Sequence, residues 1–265
     1  MTALAVANQK GGVGKTTTTL NLAYTWSSRG ETVLVIDCDK QAAATKTVIA
    51  DANVRADLPT LADALGPTGR TNVGLVDVIV RADAQWGGVD IVPASLDLED
   101  VWKSARPDLV FWLRRAVAET GVGEKYDRVL FDCPPDLGPG MVSAALAADT
   151  VIIPTHPERM SLDGVADTVE MVDVLRRDFE PELRVSAIVP LAVDRRVNEH
   201  VERLDEVRRL YGELVTRAVI PHRVKSDEAS GAGAPAAWLA GDAGRALSTA
   251  YGDLAKELDE RAGGQ

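Results

Sequence analysis

Cysteine and histidine are scarce in this chain, with two and three copies respectively in 265 residues. The two thiols, Cys38 and Cys133, permit at most one disulfide. Each follows an aspartate at the end of an apolar, strand-like run, a setting for reduced thiols rather than a cross-link. Three histidines and two cysteines at these spacings match no metal-ligand pattern, so His156 and His222 read as ordinary polar residues and no iron–sulfur cluster is expected. Long apolar runs are missing as well. None approaches the roughly 20 residues that a spanning helix needs, so no membrane segment is expected. The N-terminus runs directly into a strand and a glycine loop, which leaves no room for a secretory leader; a cytoplasmic location is expected. Cations are also in deficit, with 29 Lys and Arg against 40 Asp and Glu and a net charge of −11. Such a field repels nucleic acid unless a local basic patch overrides it.

What remains is ordinary for a globular protein with a full core, at 46% hydrophobic and 26% charged residues. Apolar β-branched runs at 4–7, 32–37, 89–93, 128–132, 150–154, 185–190 and 218–221 alternate with helical patterns such as 16–28, 109–120, 162–179 and 199–211. That alternation predicts an α/β fold, a mostly parallel twisted sheet with helices on both faces and polar residues at its carboxyl edge. No linker or internal repeat divides the chain, so residues 1–265 read as a single domain. Residues 51–75 are the least legible part, with 53–65 read as a helix-loop insertion to which no function attaches.

Lys10-Gly11-Gly12-Val13-Gly14-Lys15-Thr16-Thr17 joins the first strand to the first helix. A glycine-rich turn in that place lets successive backbone N–H groups converge on a phosphate chain. Lys15 would reach the β- and γ-phosphates, and the Thr16 hydroxyl would sit on Mg²⁺. Gln9 stands where the general phosphate-loop pattern has its first glycine, and an additional lysine, Lys10, marks the loop's entrance. Two carboxylate clusters follow at strand ends. Asp37-Cys38-Asp39-Lys40-Gln41 could orient a water for in-line attack, or could cap the backbone of a turn. Arg128 to Asp132, followed by Cys133-Pro134-Pro135, ends a buried strand on a carboxylate suited to holding a metal-bound water.

The entrance lysine is the deviant Walker A signature, and the chain resembles the ParA/MinD group of P-loop NTPases from its first residue to about Pro235. The pattern D-x-D-P-Q is met by Asp37, Asp39 and Gln41 with Thr45 downstream, while Lys40 replaces the proline. The segments Val92 to Leu98, Ile153 to Gly164 and Ile220 to Gly233 also resemble the group's sequences. By this resemblance Lys10, Lys15 and Asp39 are catalytic. Gly11, Gly12, Val13, Gly14, Lys15, Thr16, Thr17 and Pro221 bind nucleotide, and Thr16 and Asp132 (through water) bind the metal. ATP and Mg²⁺ are the implied cofactors.

The resemblance further implies an ATP-dependent homodimer in which Lys10 reaches the partner's nucleotide, as an arginine finger does. It implies plasmid or chromosome segregation with a ParB-like centromere-binding protein, and nucleotide-switched, non-specific DNA binding. Between Pro190 and Ser226, eight cations face six acids, a local +2. Arg195, Arg196, Arg223 and Lys225 are the candidate DNA contacts; the same residues would also make a solvated helix face laced with ion pairs. The alternatives are a MinD-like membrane-associated positioning ATPase, or segregation of a cargo other than DNA. The acidic C-terminal tail, poor in large apolar residues, argues against the membrane.

Overall fold

A computed structural model describes residues 1–66, 73–104, 106–157, 159–180, 182–222 and 233–263. These form a seven-stranded sheet: β1 (Thr2–Val6), β2 (Val33–Asp37), β3 (Val80–Arg81), β4 (Val89–Val92), β5 (Arg128–Asp132), β6 (Thr150–Thr155) and β7 (Arg184–Pro190). Their order is β3-β4-β2-β5-β1-β6-β7. Every neighbouring pair is parallel except β3–β4. The central strands are buried on both faces, which is why they read as continuous apolar runs rather than alternating ones.

Successive side chains leave the sheet on opposite sides and feed two apolar layers. Leu4, Val35, Leu130 and Ile152 pack against α1 (Lys15–Ser27), α2 (Ala43–Val48) and the C-terminal α11 (Gly241–Gly263). Ala5, Ile36, Phe131 and Ile153 pack against α4 (Leu61–Leu65), α5 (Leu98–Lys103), α6 (Leu109–Glu119), α8 (Pro139–Ala147) and α9 (Arg159–Asp178). The expected α/β class, with helices on both faces of a mostly parallel sheet, is the observed one.

Two expectations change. The apolar run 218–221 is not a strand but an irregular edge that touches the sheet through isolated bridges, Ile188 to Val215 and Val193 to Pro221. The reason is competition for backbone donors: the N–H groups of Arg217 and Ala218 go to the buried Glu257 carboxylate of α11, both at 3.0 Å, and Pro221 has no N–H to offer. Conversely β3, a two-residue antiparallel edge, carries too short a pattern to be legible. Over 52–65 the chain forms two short helices, α3 (Ala52–Ala56) and α4. They are separated at Pro59, and α4 opens with a capping box between Thr60 and Asp63. The remaining helices are α7 (Val122–Lys125) and α10 (Asn198–Tyr211).

Candidate functional site

The glycine loop leaves β1 at the centre of the sheet, between β5 and β6. Gly12 and Gly14 take positive φ angles of 73° and 81°, the left-handed region that a side chain would strain. A Cβ on Gly14 would also lie 2.7 Å from Leu191 Cδ1. Lys15 opens α1 with its ammonium turned back into the loop, donating to the Lys10 carbonyl at 2.9 Å. Burial lowers its pKa, while Asp132, Cys133, Asp39 and Asp136 act in the opposite direction.

The loop's entrance is set by a residue the sequence did not single out. Asn8 is fully buried; its amide donates to the Pro154 carbonyl at 2.8 Å and its Oδ1 accepts from Lys10 N at 2.9 Å. Next to it, Gln9 N donates to Thr168 Oγ1 at 3.3 Å. Gly164 of α9 closes over this point, so near that a Cβ there would meet Asn8 Oδ1 at 2.5 Å. No periodicity marks Asn8, since its partners come from β6 and α9, far along the chain.

The acidic side of the site comes from strand register. Asp37 and Asp132 pair at the ends of β2 and β5, and both are fully buried. The Thr16 hydroxyl donates to Asp132 Oδ2 at 2.7 Å and the Thr19 hydroxyl to Oδ1 at 3.2 Å. Asp37 accepts from Thr45 Oγ1 and N, at 2.7 and 2.9 Å, and from Asp39 N at 3.2 Å. It is therefore the turn-forming carboxylate of the pair in this loop. Desolvation raises both carboxyls, and for Asp132 the charge of Asp37 adds to it. The third acid, Asp39, is half-buried. Its Oδ1 accepts from Gln41 N at 2.8 Å, and the other oxygen has no partner among the described residues. Lys40, in the proline's place, is tethered instead by an ion pair to Glu99 of α5 at 3.1 Å. Cys38 and Cys133 are buried beside these acids, and burial pushes both thiols up, away from nucleophilic character.

A cavity of about 470 Å³ runs from Gly12, Gly14, Thr16 and Thr17 to Ile220 and Pro221. Pro221 and the glycine loop therefore line one cavity. His156, His200 and His222, the chain's entire histidine complement, line the same cavity. The proposed basic surface is less uniform than its sequence. Arg195 is exposed and makes no ion pair among the described residues. Arg196 is chelated by Asp194, with its Nη2 2.6 Å from Oδ2, while Arg203 and Arg217 pair with Glu206 and Glu260. Arg223 and Lys225 lie outside the described residues.

The family model described as an AAA domain matches residues 1–185. The chain is 36% identical over 262 residues to the chromosome partitioning protein ParA of Caulobacter vibrioides, covering 97% of this chain and 94% of that protein. It is 30% identical over 257 residues to the sporulation initiation inhibitor protein Soj of Bacillus subtilis, covering 96% and 97%. Among solved structures it superposes on cobyrinic acid a,c-diamide synthase from Mycobacterium smegmatis with bound ADP and magnesium. The TM-score is 0.80 at 28% identity, over 100% of this chain and 97% of the other.

Proposed function

This chain belongs to the ParA family of P-loop ATPases and is an ATPase, and from that premise we propose that it is a partition ATPase whose ATP-bound form is a dimer that holds DNA. The observation that carries this reading is the construction of the loop's mouth. Asn8 fixes the backbone N–H of Lys10 while the Lys10 carbonyl holds the Lys15 ammonium. The entrance lysine and the phosphate-binding lysine are therefore positioned by one another. Lys15 stays with the nucleotide of its own chain, and Lys10 serves the nucleotide of the partner as a finger does, a contribution worth roughly 10³–10⁵ in rate.

In this reading Gly11, Gly12, Val13, Gly14 and Thr17 cradle the phosphates with backbone N–H groups, and Pro221 borders the base. Asp39 orients the attacking water through the carboxylate oxygen that its own turn does not use. The Thr16 hydroxyl and Asp132 carboxylate, oxygen donors already joined at 2.7 Å, fit Mg²⁺. When bound, that cation supplies positive charge to phosphates and carboxylates alike. Burial and the charge of Asp37 raise the Asp132 carboxyl, and a cation held beside it would favour its charged form. The whole chain acts as one ATPase domain.

Arg195, with Arg223 and Lys225, provides the DNA contacts, doubled by dimerisation and steeply dependent on salt. A ParB-like centromere-binding partner stimulates hydrolysis and releases the ATPase, which works in the cytoplasm and on the nucleoid. A membrane role is disfavoured by the C-terminal helix: Leu247, Tyr251, Leu254 and Leu258 of α11 are buried in the protein core, which leaves no apolar face for a bilayer. No helix among the described residues is long and apolar enough to cross one.

Sedimentation of Lys10→Ala with ATP tests the proposal. Nucleotide binding is retained, while the ATP-dependent dimer and its turnover are lost. A variant that dimerises like the parent removes the role given to Lys10.

A further inference from the structure

The wall of the cavity is continuous with the basic turn, and one of the links between them is an imidazole. His200, on the first turn of α10, lines the cavity. Its Nδ1 accepts a hydrogen bond from the backbone N–H of Asp194 at 3.1 Å. Only an unprotonated Nδ1 can accept, so this bond fixes the ring's tautomer, with the proton on Nε2. Asp194 in turn organises the basic turn. Its carboxylate accepts from Arg196 N at 3.0 Å and grips the Arg196 guanidinium. Its carbonyl accepts from Val197 N, also at 3.0 Å. Arg195, exposed between them, takes its direction from that turn.

On the other side, Val193 exchanges backbone hydrogen bonds with Ile220 and His222, both in the cavity wall. Ala192, just before Val193 and also in the wall, holds φ at 54°. A non-glycine residue in that region is strained and persists only where its surroundings over-determine it. The segment 191–194 is thus held from two sides, by His200 and by the 220–222 edge.

We propose that His200 is a positioning residue that transmits occupancy of the cavity to the turn carrying Arg195 and Arg196. This rests on the reading of the cavity as the nucleotide site. A nucleotide packed along the wall restrains the His200 ring and strengthens its hold on Asp194 N. Loss of the nucleotide loosens the ring, the strained segment relaxes, and the arginines lose their common orientation. The nucleotide acts through its differential affinity for the two arrangements.

The direct test is amide hydrogen exchange at residues 193–197, with and without a non-hydrolysable ATP analogue and Mg²⁺. The parent, His200→Leu and His200→Asn are compared. In the parent the analogue slows exchange of the Asp194 amide by about 5-fold or more, the lower end of ordinary site-to-site coupling. In His200→Leu the amide exchanges fast and ignores the analogue. In His200→Asn the side-chain oxygen replaces Nδ1 as acceptor and the response returns, which a purely space-filling role for His200 would not produce. Equal responses in parent and His200→Leu overturn the proposal, as does an Asn variant that behaves like Leu. Retention on DNA is measured in parallel. A parent that shows the exchange response but no ATP-dependent retention refutes the DNA reading and leaves His200's role standing.

Discussion

Replacing Gly164 by alanine sets helix propensity against close packing, and the structure says which wins. Gly164 lies within α9, so alanine there gains about 1 kcal/mol of intrinsic helix stability. The new methyl carbon, however, would stand 2.5 Å from Asn8 Oδ1 and 3.4 Å from Lys10 N and Cβ. The Asn8 amide has nowhere to go, because it is fully buried and bonded at both ends, to Pro154 O and to Lys10 N. Turning it away breaks two hydrogen bonds and strands buried polar atoms, a cost of about 1–3 kcal/mol for each atom left unpaired. Backing α9 away instead disturbs the packing around it, at about 1–3 kcal/mol. Set against the helix gain, the cheaper route leaves a net destabilisation of up to about 2 kcal/mol in urea unfolding, with the Lys10 backbone displaced and the proposed ATP-dependent dimer weakened. Because the loss runs through one side chain, Asn8→Ala should absorb most of it. The double variant Asn8→Ala/Gly164→Ala is then more stable than the sum of the single effects predicts. A Gly164→Ala protein as stable as the parent and dimerising normally would refute the argument, as would additive effects in the double variant.

Three further outcomes follow. Asp132 titrates above its ordinary range in the folded chain, so from pH 4 upward the nucleotide-free folded state holds a proton that the unfolded state has released, and stability falls as pH rises through that window. Asp132→Asn flattens this slope and unfolds at a higher temperature than the parent at pH 8, while abolishing hydrolysis; an unchanged slope shows that the carboxyl is not strained. Glu99→Gln releases the Lys40 tether, leaving the unfolding midpoint in place but lowering turnover severalfold, and equal turnover shows that the Asp39 loop is set without that ion pair. Arg195→Glu reduces ATP-dependent DNA retention and lowers the salt slope by about 2 for a dimer. Arg196→Glu, whose charge Asp194 already neutralises, does less, and the reverse ranking sinks the assignment of Arg195.

The phosphate loop and the strand-end acids were legible because their chemistry is local: spacing places Lys15, Thr16 and the aspartates on one sheet edge once the strands are parallel. The division of labour between Asp37 and Asp39 came from the resemblance alone; its physical basis, Thr45 reaching back to Asp37 across a turn, was not legible. The run at 218–221 misled because its pattern is that of a strand, while Glu257, some 39 residues away, takes the N–H of Ala218. Likewise the count of cations around Arg195 could not reveal which are cancelled by a neighbouring acid. Asn8 escaped notice for the same reason, and Gly164 read only as the end of a family-like segment: each matters through contacts remote in sequence.

The margins of the sheet bear on how such a molecule behaves when crowded. At one border β3 pairs over only two residues, too few to template another chain. At the other, β7 is shielded by the irregular 215–222 segment, whose amides are turned toward Glu257 and a few β7 carbonyls. Exposed strand borders invite end-to-end stacking into fibres. These two blunted margins keep the folded chain, at whatever local density it reaches, from setting into an irreversible aggregate.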